Sequence, residues 1–169
     1  KTGCRKLFAE ENVVHPLGYE NLKGVPDVIG AIQNIRRKKP DVKKVIVKLN
    51  EGVSGEGNAV VDLQQLGSLS DADERQQIES RLKQMRFELK DANYEDYFAK
   101  LKQRGGVVEE LIFGEEIRSP SVQLRITPLG ELQLLSTHDQ LLGGPSGQSY
   151  LGARFPADSA YASIISEQA

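Results

Sequence analysis

The chain has 169 residues and a mass of 18.7 kDa, enough for one ordinary domain or two small lobes that fold without staples. Its 22 Lys+Arg against 24 Asp+Glu give a formal charge of −2 and a pI of about 5.8, so no basic excess points to nucleic acid or an anionic membrane. With a mean hydropathy of −0.42 and no apolar run near the roughly 20 residues of a membrane helix, it reads as a soluble globular protein. The single cysteine, Cys4, excludes an internal disulfide and a Cys-rich zinc site and fits a reducing, cytoplasmic setting. There is no signal peptide and no initiating Met, and residues 166–169 fall within a helical pattern, so the chain reads as a piece of something longer.

Residues 1–12 are weakly helical and end at Val13-Val14-His15-Pro16, where Pro16 forces extended backbone, followed by a loop. From Pro26 the stripe Val28, Ile29, Ile32 and Ile35 predicts a helix, with Arg36 to Lys39 complementing its C-terminal dipole and Pro40 stopping it. Residues 44–49 and 59–63 are β-branched and short, hence two strands, joined by a glycine-rich loop over 50–58. Ser70 with Asp73 approximates a capping box ahead of Ile78, Leu82, Met85 and Leu89, one face of a helix. Asn93 opens another helix carrying Tyr97, Phe98 and Leu101, which Gly105-Gly106 ends.

After Gly106 the pattern turns to β. A strand over 107–113 is expected, then a hairpin of 122–126 and 131–135 about Pro128-Leu129-Gly130, a loop over 141–148, a strand over 150–155 and a helix over 158–166. An α/β lobe up to Gly106 and a β-rich lobe after it would meet in a hinge at 107–114.

The glycine-rich loop matches neither a Walker loop nor a Rossmann fingerprint. Gly52, Gly55 and Gly57 with Ser54, preceded by Lys48, compose either a flap able to turn backbone N–H groups and a cation toward phosphates or a long hairpin loop. Lys48 either extends into solvent or points into a site. Glu109 and Glu110 must face opposite sides of a strand, so at most one looks inward, and Glu115 with Glu116 repeats the pattern. Ser136, Thr137, His138 and Asp139 lack a nucleophile elbow. His15, His138 and Cys4 make a poor metal set.

Taken in order, Lys1 before a short helix, Val13-Val14-His15-Pro16, Val45-Ile46-Val47-Lys48, the glycine-rich loop and Val108-Glu109-Glu110-Leu111-Ile112-Phe113-Gly114-Glu115-Glu116 resemble the ATP-grasp family. The resemblance spans nearly the whole chain. Ser119-Pro120-Ser121-Val122-Gln123, Ser136-Thr137-His138-Asp139-Gln140 and residues 147–157 are similar to the peptide ligases of the pheganomycin type.

The resemblance implies an α+β fold of two lobes with antiparallel sheets and a nucleotide cleft between them: residues 1–106 with the flap, and 107–169 as an incomplete second lobe. It implies that Lys48 reaches the α/β-phosphates of ATP and that Lys1 supports them. Gly52, Ser54, Gly55 and Gly57 would close over the triphosphate, the backbone of Glu109, Glu110, Leu111 and Ile112 would read adenine, and Glu116 would accept from the ribose hydroxyls. The implied reaction activates a carboxylate as an acylphosphate, which an amine of an amino acid or peptide then attacks, with Mg²⁺ neutralising charge. The family's metal ligands, an acidic residue and a Glu-x-Asn pair, find no match before Ala169. The expectation is therefore the ATP-binding part of a carboxylate-amine ligase, completed by the rest of a parent chain and inactive alone. The alternative is a module that binds nucleotide or a protein partner without catalysis.

Overall fold

Residues 44–49 and 58–62 carry the strongest β signal in the sequence, and they form the middle of the first sheet. The computed structural model describes residues 1–67 and 69–169. Contacts divide the chain into two units, Lys1–Ile112 with Gly144–Gln148, and Phe113–Gly143 with Ser149–Ala169.

In the first unit β2 (Lys44–Leu49) pairs antiparallel with β3 (Asn58–Asp62), placing Lys48 opposite Asn58. On its other edge β2 pairs with β5 (Gly106–Glu110), placing Lys48 opposite Val107 and Ile46 opposite Glu109. β1 (Gly18–Leu22) and β4 (Arg86–Phe87) complete the order β1-β5-β2-β3-β4. The two-residue period of a strand sorts these side chains into two faces. Val45, Val47, Leu49, Ala59, Val61 and Val108 join Val28, Ile29, Ile32 and Ile35 of α2 (Val25–Lys38), Ile78 and Leu82 of α3 (Asp71–Lys83), and Tyr97, Phe98 and Leu101 of α4 (Tyr94–Arg104) in one core. The opposite face carries Ile46, Lys48, Asn58, Val107 and Glu109.

Local chemistry sets the helix ends. Ser70 Oγ accepts from Asp73 N–H at 3.3 Å and Asn93 Oδ1 from Asp96 N–H at 2.9 Å, each satisfying an amide with no intrahelical partner. α2 has Pro at its start and Arg36, Arg37 and Lys38 in its last turn, while Gly105, at φ 73°, caps α4 and donates to Leu101 O at 2.8 Å.

Three expectations for this unit are corrected. The apolar spacing through Met85 and Leu89 does not continue α3, which stops at Lys83. Gln84 N–H reaches back to Arg81 O at 3.0 Å, and the chain turns so that Met85 is buried and Phe87 pairs with Ala59 at the sheet edge. Residues 18–22, read as loop, form β1 because β5 offers an open edge, with a bulge between Tyr19 and Leu22 and Asn21 at φ 62°. Residues 107–112, read as the start of the second lobe, lie in the first unit, since β5 is sandwiched between β1 and β2.

The second unit is a meander of β6 (Pro120–Ile126), β7 (Leu132–Gly143) and β8 (Ser149–Arg154), with the short helix α5 (Ala162–Glu167). The predicted hairpin forms about Gly130, at φ 83°, with Thr127 N–H donating to Glu131 O at 2.9 Å. β7 runs on to Gly143, so only the end of the expected 141–148 loop is irregular, and its residues Gly144–Gln148 belong with the first unit through Ser146 N–H, which donates to Glu88 Oε2 at 2.8 Å. Asp139 accepts from Tyr161 OH and from Asp158 N–H, which ties the segment before α5 to β7 and holds the Asp139 carboxyl below its usual range. The α+β character with antiparallel sheets is as expected. Among the described residues no helix is long and apolar enough to cross a membrane.

Two glycines separate packing from propensity. A Cβ on Gly106 would lie 2.6 Å from Lys48 O and 3.0 Å from a Leu101 methyl, whereas one on Gly3, inside α1 (Thr2–Glu10), meets nothing within 4 Å. Gly106→Ala should therefore destabilise the protein by about 2 kcal/mol or more, and Gly3→Ala should stabilise it by roughly 0.5–1 kcal/mol. Urea midpoints of the two variants check the opposite signs.

Candidate functional site

The polar face of the first sheet is built around one carboxylate. Glu109 on β5 is 7% exposed, and an isolated charge there would be expensive. Its Oε2 lies 2.6 Å from Lys48 Nζ and its Oε1 accepts from Arg5 Nη1 at 2.8 Å. The first contact follows from the register, since Lys48 and Glu109 share a face on adjacent strands two positions apart. The second brings in α1: Arg5 also donates to Glu20 Oε2 at 3.1 Å and to Pro16 O at 2.9 Å. Burial pushes the Glu109 carboxyl up, but the charge and hydrogen bond of Lys48, then those of Arg5, outweigh it and hold the group below the usual carboxylate range.

Glu110 faces the other way, as alternation requires. It takes Lys39 Nζ at 2.5 Å and Leu17 N–H at 3.0 Å. Burial raises its carboxyl too, and the hydrogen bonds from Lys39 and Leu17 with the Lys39 charge bring it below the ordinary value.

The loop leaving Lys48 folds as two successive turns. Ser54 (φ 52°) and Gly55 (φ 92°) are both left-handed, the requirement of a primed turn, and Glu56 N–H closes it on Val53 O at 3.0 Å. Asn58 N–H then donates to Gly55 O at 2.8 Å. Gly52 and Gly57 face each other so closely that a Cβ on Gly52 would sit 3.1 Å from Gly57 N. The amides of Gly52, Val53, Ser54, Gly55 and Gly57 donate to no protein acceptor among the described residues.

Two side chains fix the base of this loop, and neither was legible as a site residue. Asn50 Oδ1 accepts from Thr2 N–H at 3.0 Å and its Nδ2 donates to Arg104 O at 2.9 Å, joining the start of α1 to the end of α4. Tyr97 OH lies 3.0 Å from Val47 O and 2.9 Å from Gly57 O, and burial raises its phenol. Nothing in the spacing of Asn50 or Tyr97 signals these partners, which are distant in sequence. Lys1 Nζ donates to Gly52 O at 3.4 Å. Lys1, Lys48 and the glycines are thus brought to one loop and its root.

The expected backbone reader of adenine is partly occupied. Glu109 pairs with Gly18 and Ile46, Glu110 N–H donates to Leu17 O at 2.8 Å, and Leu111 N–H donates to Lys44 O at 3.1 Å. Of residues 109–112, Ile112 has an amide that donates to no acceptor among the described residues, and its side chain is exposed. Glu116, in the second unit, is exposed and accepts from Arg118 Nε at 2.7 Å. His15 Nδ1 is 2.7 Å from Val13 O and His138 packs against Phe155. Among the described residues no group of three or more His, Cys, Asp or Glu could hold a metal ion, so the Mg²⁺ implied by the resemblance finds no ligand set here.

The first unit is thus an antiparallel sheet with a lysine-bearing strand running into a glycine loop, and an antiparallel meander follows it in the chain. The crystal structure of D-alanyl-alanine synthetase A from Vibrio cholerae O1 biovar eltor str. N16961 matches it at a TM-score of 0.51 and 12% identity, over 98% of this chain and 44% of that one. The likeness is one of fold, and this chain spans less than half the length of that protein. A family model described as IQCH-like, ATP-grasp matches residues 1–94 and 79–168, and the chain belongs to that family. No curated protein matches it.

The Glu109 pairing makes a stability prediction. Because the folded carboxyl is held below the ordinary value of about 4.5, its ionisation stabilises the fold above that pH and the contribution is lost as pH falls through the folded value. Glu109→Gln, which leaves Arg5 and Lys48 without their shared anion, should lose about 3 kcal/mol at pH 7. The gap should begin to narrow as pH falls below 4.5, where the unfolded carboxyl takes up its proton, and close once pH has passed the lower folded value. Urea unfolding of both proteins at several pH values measures it; a gap independent of pH contradicts the assignment.

Proposed function

We propose that the first unit binds ATP through Lys48 and the 50–58 loop, as the nucleotide-binding part of an ATP-dependent carboxylate-amine ligase. The observation that carries this reading is the junction at Lys48: a cation on a sheet face, continuous with a loop in which the amides of Gly52, Val53, Ser54 and Gly55 have no protein acceptor among the described residues. Phosphate oxygens need cations and N–H donors, and both converge here. In this reading Lys48 contacts the α/β-phosphates, Lys1 gives up Gly52 O to add a second charge, and the amides of residues 52–55 and 57 supply donors. Adenine recognition falls to the Ile112 amide, because those of Glu110 and Leu111 are already donated.

The chemistry proposed for the parent protein is amide formation. A carboxylate oxygen attacks the γ-phosphorus while the bond to the β–γ bridging oxygen breaks and ADP leaves. An amine nitrogen then attacks the acyl carbon and phosphate departs. No step is assigned to a metal, since no described residues gather to hold one. Amino-acid or peptide substrates, as in the pheganomycin-type ligases, and a cytoplasmic setting belong to this proposal. A second reading, nucleotide binding without ligation, is supported by the same junction, because Lys48 and the loop suffice for affinity.

Calorimetric titration of ATP tests the shared core of both readings. Lys48→Ala should weaken ATP binding by about 1.5–3 kcal/mol, the worth of hydrogen bonds to a charged group, with the fold verified by circular dichroism. Unchanged affinity in a folded Lys48→Ala variant rejects the phosphate role. ADP and phosphate released by the parent protein only when a carboxylate and an amine are both supplied would favour the ligase over the binding module.

A further inference from the structure

We infer that Arg5 is a positioning residue for nucleotide binding: it holds the charge of Glu109 while Lys48 leaves that carboxylate for a phosphate. The inference rests on the reading that Lys48 contacts phosphate, and it concerns what must happen to Glu109 when it does.

Lys48 is engaged before any ligand arrives, with its ammonium 2.6 Å from Glu109 Oε2. An anion that recruits Lys48 removes one of the two cations from a carboxylate whose side chain is only 10% exposed. A buried charge deprived of its partner is strongly destabilising. Without a second cation, the phosphate contact would be offset by the stranded Glu109.

The two cations differ in the way this exchange demands. The Arg5 side chain is 8% exposed and fixed at three points, by Glu20, Pro16 O and Glu109. Its planar fork suits a permanent bond to one carboxylate oxygen. The Lys48 side chain is 24% exposed and on a flexible four-carbon stem, with a single ion pair among the described residues. Each takes a different oxygen of Glu109, so Lys48 can leave Oε2 without disturbing the bond at Oε1. Arg5 is thus the static counter-charge and Lys48 the mobile one, and Arg5 need not touch the nucleotide.

A merely structural arginine would lower ATP affinity, if at all, through damage to the fold that a second substitution at Glu109 could not repair. A counter-charge role predicts repair. ATP titration by calorimetry of the whole 169-residue chain is compared for the unsubstituted protein, Lys48→Ala, Arg5→Ala, Arg5→Lys, Glu109→Gln and the double variant Arg5→Ala/Glu109→Gln. Arg5→Ala should weaken ATP by roughly tenfold, the scale of one charged hydrogen bond, because Glu109 then retains Lys48. Arg5→Lys keeps the charge but not the planar fork, and should lose less affinity than Arg5→Ala. Glu109→Gln should bind at least as tightly, and the double variant should recover what Arg5→Ala lost.

A double variant as weak as Arg5→Ala, or an Arg5→Ala protein that binds ATP normally, overturns the inference. If Arg5→Ala does not fold, Arg5→Gln takes its place in both single and double variants, with the same expectations. Loss of affinity in Lys48→Ala alongside normal binding in Arg5→Ala defeats only the role of Arg5. Normal binding in Lys48→Ala defeats the phosphate reading itself.

Discussion

A carboxylate buried on a sheet must be answered by cations, and the answer given to Glu109 organises the first unit. Strand register supplies Lys48 from the neighbouring strand, while Arg5 comes from a helix 104 residues earlier in the chain. That single requirement docks α1 on the sheet, orders the connection through Pro16, and draws Glu20 of the edge strand into the same group. Most of the core beneath the other face is assembled by apolar burial, which is non-directional. The charged face is directional, and it fixes where the Lys48 ammonium stands.

The loop that follows Lys48 is held by its base. Asn50 spans the beginning of α1 and the end of α4, and Tyr97 reaches Val47 and Gly57 from the core side. Between those anchors the backbone closes on itself in two turns that require left-handed φ at Ser54 and Gly55. Turn formation engages the amides of Glu56 and Asn58 and leaves those of Gly52, Val53, Ser54 and Gly55 without a protein acceptor among the described residues. The close approach of Gly52 to Gly57 shows why side chains are excluded there.

Elements with local signals were legible in the sequence. α2 announced itself by stripe, Pro26 and basic last turn, α4 by Asn93 and Gly105, and the β2–β3 pair by β-branched runs. Those that depend on distant partners were not: β1 is Gly-Tyr-Glu-Asn-Leu, a strand only because β5 pairs with it. Met85 continues a helical spacing yet lies outside α3, since burial beside the sheet edge outweighs periodicity. Lys48, the loop and the opposed faces of Glu109 and Glu110 could be proposed from alternation and composition. The partners of Glu109 could not, because Arg5 lies on a weakly helical segment whose apolar residues, Leu7 and Phe8, are exposed. The first-lobe boundary at Gly106 failed for the same reason that β5 was misplaced: a glycine pair marks a helix end and says nothing about which sheet the next strand joins.

Glu109 also bears on which anions the first unit can hold. Any ligand that recruits Lys48 competes with a carboxylate already at hydrogen-bond distance. A lone monoanion exchanges one charge-assisted bond for another and gains little. A polyphosphate that also reaches the amides of residues 52–55 and the ammonium of Lys1 gains contacts that Glu109, fixed on its strand, cannot make. If Lys48 contacts phosphate as proposed, the resident pair would act as a threshold: it keeps Lys48 oriented and would yield to an anion long enough to span the lysine and the loop together. In that reading the length and charge of the phosphate chain would decide binding, because only a chain that reaches several donors offsets the loss of the Lys48–Glu109 bond.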